Sequence, residues 1–210
     1  MNLIFDFFID PYRTYSTLDI LLEGAAVITG LLSVWFAKQD KVWVYPSGMV
    51  STAIYVYLLL KAGLLGDLLI NAYYFAMSIY GWMFWSQQKE GVTVHQIDKV
   101  SALEKKWSFL LFALSLLFVG GLYASLGKWM SWTAPIDTFT TALFFVGMWL
   151  MARRKIVHWI YWIIGDLISI PLYLYKGLAL TSFQYLIFTL IAIFGYIQWK
   201  KVYNNRIQTV

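Results

Sequence analysis

Seven long apolar stretches alternate with polar breaks along the chain: 19–37, 42–60, 65–86, 107–126, 136–152, 156–175 and 180–199. Each is close to the roughly 20 residues a helix needs to cross a hydrocarbon core. None alternates with period two, and in lipid only helices or closed barrels satisfy the backbone. The pattern predicts an all-α integral membrane protein of seven transmembrane helices. Most breaks are short; the exception is the polar run 87–106, QQKEGVTVHQIDKVSALEKK. Residues 1–18 carry Phe5, Phe7 and Phe8 beside Asp6 and Asp10, without the basic start of a cleavable signal, and read as a short interfacial segment.

Composition agrees. The 210 residues are 60% hydrophobic and 13% charged, with a mean hydropathy of +0.65. A soluble domain is about half apolar and about a quarter charged, so a water-exposed enzyme and a disordered chain are both excluded. The absence of cysteine removes disulfides, thiolate metal sites and a cysteine nucleophile. His95 and His158 lie too far apart for a metal-spaced pair, and no cofactor is expected.

The net charge of +5 raises the question of nucleic acid. The positions of the charges answer it. Seven spans place Arg13, Lys61, Lys128 and Lys176 on one side of the membrane. The other twelve basic residues fall opposite, at Lys38 and Lys41, in the 87–106 loop, at Arg153, Arg154 and Lys155, and in the C-terminal tail. By the positive-inside rule the N-terminus is outside and the C-terminus cytoplasmic. The basic charge is thus a topology signal, and nucleic acid is not an expected partner.

The chain repeats itself at a shift of 114 residues, with no gap. Trp35 falls on Trp149, Lys41 on Lys155, Gly63 on Gly177, Leu64 on Leu178, Gly81 on Gly195 and Trp85 on Trp199. Spans 1–3 map onto spans 5–7, and span 4 becomes a linker that lets both triplets point the same way. The organisation is then 1–18 interfacial, 19–86 first three-helix bundle, 87–127 loop and linker helix, 128–201 second bundle, and 202–210 tail. Parallel repeats about an axis along the membrane normal are a transporter architecture, with substrate held between the halves near the midplane.

Polar residues at membrane depth point the same way, because they are costly unless they face a cavity or a partner. Span 3 carries Asn71, Tyr74 and Ser78 at helical spacing, span 6 carries Trp162, Asp166, Ser169 and Tyr173, and span 7 carries Gln184 and Phe188. These are the candidate substrate-binding residues. Glu23 and its repeat mate Asp137 place an acid near the outer mouth of each triplet. Simpler roles suit other groups. Trp82, Trp85, Trp159 and Trp199 suit an interfacial aromatic belt. Ser78 and Ser169 can bond the preceding turn's carbonyl. Gln198 suits the interface, His158 a helix start and His95 a solvated loop. Pro46 and Pro171 interrupt spans 2 and 6 as hinges or kinks. Stacked aromatics with amides and one acid suit a flat, neutral or cationic heteroaromatic ring, each cation–π contact contributing about 0.5–2 kcal/mol.

Tyr161 to Lys201, YWIIGDLISIPLYLYKGLALTSFQYLIFTLIAIFGYIQWKK, resembles the C-terminal half of the PnuC family of vitamin transporters. NAYYFAMSIYGWMFW, from Asn71, resembles that family's third helix, with Trp82 and Trp85 as its WxxW. The likeness covers roughly 19–201. It implies a 3+1+3 helix arrangement related to the SWEET sugar transporters, and uptake of nicotinamide riboside across the bacterial inner membrane by facilitated diffusion. It also implies a cytoplasmic kinase that traps the riboside, and suggests a homo-oligomer. Residues that match the family's binding positions are Asn71, Tyr74, Trp162, Asp166, Gln184 and Phe188. Thiamine, riboflavin or another flat vitamin remains an alternative cargo, as does proton symport through Asp166. A membrane enzyme is the distant alternative, since the chain has no cluster of catalytic groups.

Overall fold

The computed structural model describes residues 16–61, 65–89, 92–127, 129, 131–176 and 179–208. Residues 1–15 and the repeat pairs Gly63–Gly177 and Leu64–Leu178 lie outside these, as do Arg13 and Lys128 of the charge count. Among the described residues there are seven long helices: α1 (Thr17–Lys38), α2 (Val44–Lys61), α3 (Leu65–Trp85), α4 (Ala102–Ser125), α5 (Thr133–Ala152), α6 (His158–Tyr175) and α7 (Ala179–Gln208). A short hairpin, β1 (Gln88–Lys89) with β2 (Val92–Thr93), stands in the polar loop. At about 1.5 Å per residue, even the 18-residue α2 and α6 are long enough to reach across most of a bilayer core. On length and hydropathy alone, α1, α4, α5 and α7 qualify as candidate spans. The helix α7 continues past Trp199 as a charged extension bearing Lys200, Lys201 and Arg206.

The termini follow local rules. Ser16 caps α1 by accepting from the Asp19 amide at 3.1 Å. Ser101 and Glu104 form a reciprocal capping box on α4. Pro171 sits inside α6. Pro46 does not break α2: it is the third residue of the helix, where a missing N–H has no intrahelical bond to lose. The expectation of a hinge or kink at Pro46 is therefore corrected.

Packing arranges the helices as two triplets. In one, α1 packs on α2 and α2 on α3; in the other, α5 packs on α6 and α6 on α7. The triplets meet through α1 against α7 and α3 against α5, contacts that the repeat exchanges for each other. The helix α4 lies against α5 and barely touches α3. With α3, α4 and α6 around it, α5 is buried on nearly every face, whereas its repeat mate α1 buries only Asp19, Ala26 and Ala37. Elsewhere apolar side chains face outward: Phe109 and Leu117 of α4 are 75% and 73% exposed, as expected of a lipid-facing helix.

The repeat is carried in backbone detail. The amide of Lys41 donates to Phe36 O and that of Asp40 to Ala37 O; at 114 residues on, Lys155 donates to Leu150 O and Arg154 to Met151 O. Both helices thus end in the same left-handed cap, with Asp40 and Arg154 each at φ 55°. The next turns restart identically, Val44 N to Lys41 O and His158 N to Lys155 O.

Candidate functional site

A cavity of about 1390 Å³ lies between the triplets. All eleven residues selected from the sequence line it: Asn71, Tyr74 and Ser78 from α3; Trp162, Asp166, Ser169 and Tyr173 from α6; Gln184 and Phe188 from α7; and Glu23 and Asp137. Spacings of three and four put each set on one helical face, and the triplet packing turns those faces toward one space.

Two aromatic residues that sequence reasoning missed complete the wall. Phe144 of α5 stacks on Trp162 (centroids 5.2 Å apart, planes at 27°) and is nearly parallel to Tyr185 of α7 at 6.0 Å. Tyr74 approaches Trp162 at 6.4 Å, and Tyr173 and Phe188 flank Tyr185 at 5.1 and 6.4 Å. Tyr185 neighbours the chosen Gln184, but Phe144 sits in an unbroken apolar run and carries no sequence signal by itself.

The acids divide into two kinds. Asp137 holds Lys176 Nζ through both oxygens, at 2.7 and 2.5 Å. Asp19 holds Lys61 Nζ at 2.6 Å. Both pairs join the first helix of a triplet to the end of its second. On α1 the lysine-paired acid is thus Asp19, one turn before Glu23. Asp166, only 1% exposed, is paired with no cation among the described residues. Ser78 bonds Tyr74 O at 2.8 Å, as expected. Ser169 does not bond the preceding turn: its buried hydroxyl has no partner among the described residues, in a position that lines the cavity.

Below the cavity, the end bearing the twelve basic residues is plugged. Trp85, Trp159 and Trp199 are 3%, 1% and 0% exposed, so the expected interfacial anchoring is corrected for all three; Trp82 alone of the four is exposed. Glycine mates explain the burial. A Cβ at Gly195 would lie 2.6 Å from the Trp159 ring, and one at Gly81 would overlap the Tyr45 ring, Tyr45 being the mate of Trp159. Trp85 Nε1 donates across the interface to Ala152 O at 3.1 Å, and Trp199 Nε1 donates reciprocally to Ala37 O at 2.9 Å. His158 starts α6 as expected but is fully buried against Trp159 and Trp199. The repeat mates Asp40 and Arg154 pair at 3.4 Å, and Arg154 also donates to His95 O at 2.6 Å and lies 4.3 Å over the Trp85 ring. Burial pushes the Asp40 carboxyl up to about 6, against the opposing pull of Arg154.

No group of three or more His, Asp or Glu side chains at metal-binding range occurs among the described residues. The arrangement is a large amphipathic cavity between two pseudo-symmetric halves, lined by stacked rings, hydroxyls, amides and, in Asp166, an acid with no cation partner among the described residues. That suits reversible binding of a flat polar solute rather than bond chemistry.

Comparisons with known proteins agree. Residues 20–201 match the family model described as nicotinamide mononucleotide transporter. The nicotinamide riboside transporter PnuC of Escherichia coli (strain K12) is 26% identical over 210 aligned residues, covering 85% of this chain and 84% of that protein. The riboflavin/roseoflavin transporter RibM of Streptomyces davaonensis is also 26% identical, covering 82% of this chain and 81% of that protein. The crystal structure of the vitamin B3 transporter PnuC has the same fold, with a TM-score of 0.65 at 22% identity, over 97% of this chain and 90% of that one. The family and the structural neighbour are transporters, not enzymes. The chain thus belongs to the nicotinamide mononucleotide transporter family and is a multi-pass membrane protein of the PnuC type.

Proposed function

We propose that the chain takes up nicotinamide riboside by facilitated diffusion across a bacterial inner membrane. One observation carries the choice of cargo: Asp166, with no cation among the described residues paired to it, lies in a cavity walled by Phe144, Trp162, Tyr74 and Tyr185. A pyridinium ring between those faces supplies the missing positive charge and gains about 0.5–2 kcal/mol per cation–π contact. Substrate is held near the midplane and released as the triplets rock about their α1–α7 and α3–α5 contacts. The basic end faces the cytoplasm, where a riboside kinase traps the product by phosphorylation. The pattern of polar residues demands no coupling ion. The family resemblance suggests a homo-oligomer.

Riboflavin is the second reading, favoured by the equal identity to RibM. Thiamine shares the cationic ring but lacks the sugar. Calorimetric titration of purified protein with the three vitamins separates them. Tightest binding by nicotinamide riboside, weakened in Asn71→Ala and Gln184→Ala, is expected; preference for riboflavin or thiamine overturns the assignment. Uptake into proteoliposomes without a kinase tests the transport mode. Equilibration insensitive to an uncoupler is expected, and uncoupler-sensitive accumulation means proton symport, with Asp166 the first residue to test.

A further inference from the structure

The two halves fill equivalent positions with opposite contents. The first triplet has Gly30, Ser33, Gly48, Ser51 and Ser78; the mates 114 residues on are Phe144, Gly147, Trp162, Gly165 and Ala192. The contacts are exchanged as pairs. A Cβ at Gly30 would sit 3.1 Å from Ser51 Oγ, whereas in the second triplet the Phe144 ring covers Gly165. A Cβ at Gly48 would sit 3.0 Å from Ser33 Oγ and 3.6 Å from Ser78 Oγ, whereas the Trp162 indole covers Gly147 at 3.3 Å. At these positions the second triplet places two rings where the first has glycine, and the first places three serines where the second has Gly147, Gly165 and Ala192.

Those hydroxyls have a fixed polarity. Ser33 donates to Val44 O at 2.7 Å, Ser51 to Ala26 O at 2.8 Å and Ser78 to Tyr74 O at 2.8 Å. A hydroxyl has one proton and two acceptor lone pairs. With each proton already committed, the three oxygens can offer a ligand only acceptance. The wall is therefore matched to a group that donates protons, as the hydroxyls of a sugar do, and not to a carbonyl, a phosphate or a bare ring.

We infer that this wall of the first triplet is the seat of the cargo's polyol part, with Ser33, Ser51 and Ser78 Oγ accepting from its hydroxyls while the ring lies on the second triplet. The inference rests on the reading that the cargo is a vitamin carrying a sugar or sugar-alcohol chain. It makes the serines specificity residues, beyond any role in helix contact.

The test pairs variants with ligands that differ only in hydroxyls. Nicotinamide riboside and its 2′,3′-dideoxy analogue are titrated into wild type, Ser51→Ala, Ser78→Ala and Phe144→Ala. Each serine variant is expected to raise the Kd of the riboside about 3- to 10-fold, the worth of a neutral hydrogen bond, and to leave the dideoxy analogue unchanged. Phe144→Ala is expected to weaken both ligands alike. Gly48→Ala, whose Cβ would crowd Ser33 Oγ at 3.0 Å, is expected to act as the serine variants do. Equal loss for both ligands in the serine variants, or no loss for either, overturns the inference and leaves the serines as packing residues. A wild type that does not bind the riboside at all overturns the riboside assignment instead. The same variants titrated with riboflavin and with lumiflavin, which lacks the ribityl chain, then test the wall by itself. Selective loss for riboflavin upholds the wall; a protein that binds neither flavin overturns it.

Discussion

Gly165→Ala tests the coupling between helix packing and the cavity wall. A Cβ there would overlap Phe144 Cε1 and lie 2.8 and 2.9 Å from Cζ and Cδ1. Ordinary contact begins near 3.4–3.6 Å, so the ring must retreat by about 1 Å or more. Phe144 has little freedom to do so, being stacked between Trp162 and Tyr185 and only 7% exposed. Overpacking of this kind costs about 1–3 kcal/mol, a drop of roughly 2–12 °C in Tm for a chain of this size. Moving Phe144 also unstacks Trp162, so ligand affinity should fall by about the worth of one aromatic pair, 0.5–1.5 kcal/mol, or roughly 2- to 10-fold. Gly121→Ala is the control. Nothing lies within 4 Å of its Cβ, and helix propensity predicts a change of at most about 1 kcal/mol in the stabilising direction. Tryptophan fluorescence during thermal unfolding in detergent, with ligand titration, reads both effects. Phe144→Leu in the Gly165→Ala background should restore part of the stability, since the two residues are in direct contact. The reasoning is refuted if Gly165→Ala unfolds and binds as wild type does, or if truncating Phe144 gives no relief.

Three further outcomes follow. Trp85→Phe and Trp199→Phe each remove an indole donor to a carbonyl across the triplet interface and should cost about 1–2 kcal/mol. Trp85→Phe should cost the more, because it also loses the better ring under Arg154; detergent unfolding curves compare them. Asp40 has a folded-state pKa of about 6, above the ordinary 3.8, so the folded protein holds the proton more tightly. Its contribution therefore makes stability fall as pH rises from about 4 to about 6, and Asp40→Asn should remove that decline from the Tm–pH profile. Lys61 is 53% exposed and Lys176 is 26% exposed, so Lys61→Gln should lower the unfolding midpoint little and Lys176→Gln clearly more, in the same unfolding assay.

Much was legible in the chain because the membrane imposes a simple code. Apolar runs of helix length, separated by charged breaks, leave helices as the solution, and the helix bounds fall within a few residues of the runs. Where α7 outruns its span, the charges of Lys200 and Lys201 end the apolar run but not the backbone hydrogen bonding. The repeat was visible through Lys41–Lys155, Gly81–Gly195 and Trp85–Trp199, and the structure returns it as matched caps and exchanged interfaces. The cavity residues were legible for the same reason: Asn71, Asp166 and Gln184 are polar where polarity is expensive.

What escaped the sequence was apolar, or depended on a partner far along the chain. Nothing local distinguishes Phe144, a cavity-wall ring, from Phe145 beside it, which stacks on Tyr73. A tryptophan near a helix end suits an interface by composition; only the glycine opposite, Gly195 for Trp159, makes room to bury it. Likewise, that Lys61 pairs with Asp19 rather than Glu23 is decided by where one helix ends against another. By itself, the sequence determined the solvent, the helices, the duplication and which polar residues need a cavity, because burial cost and helical period act locally. The tertiary structure decided which faces meet, which end is plugged and which rings and hydroxyls reach the cavity, because those depend on side-chain volumes matched between residues far apart in the chain.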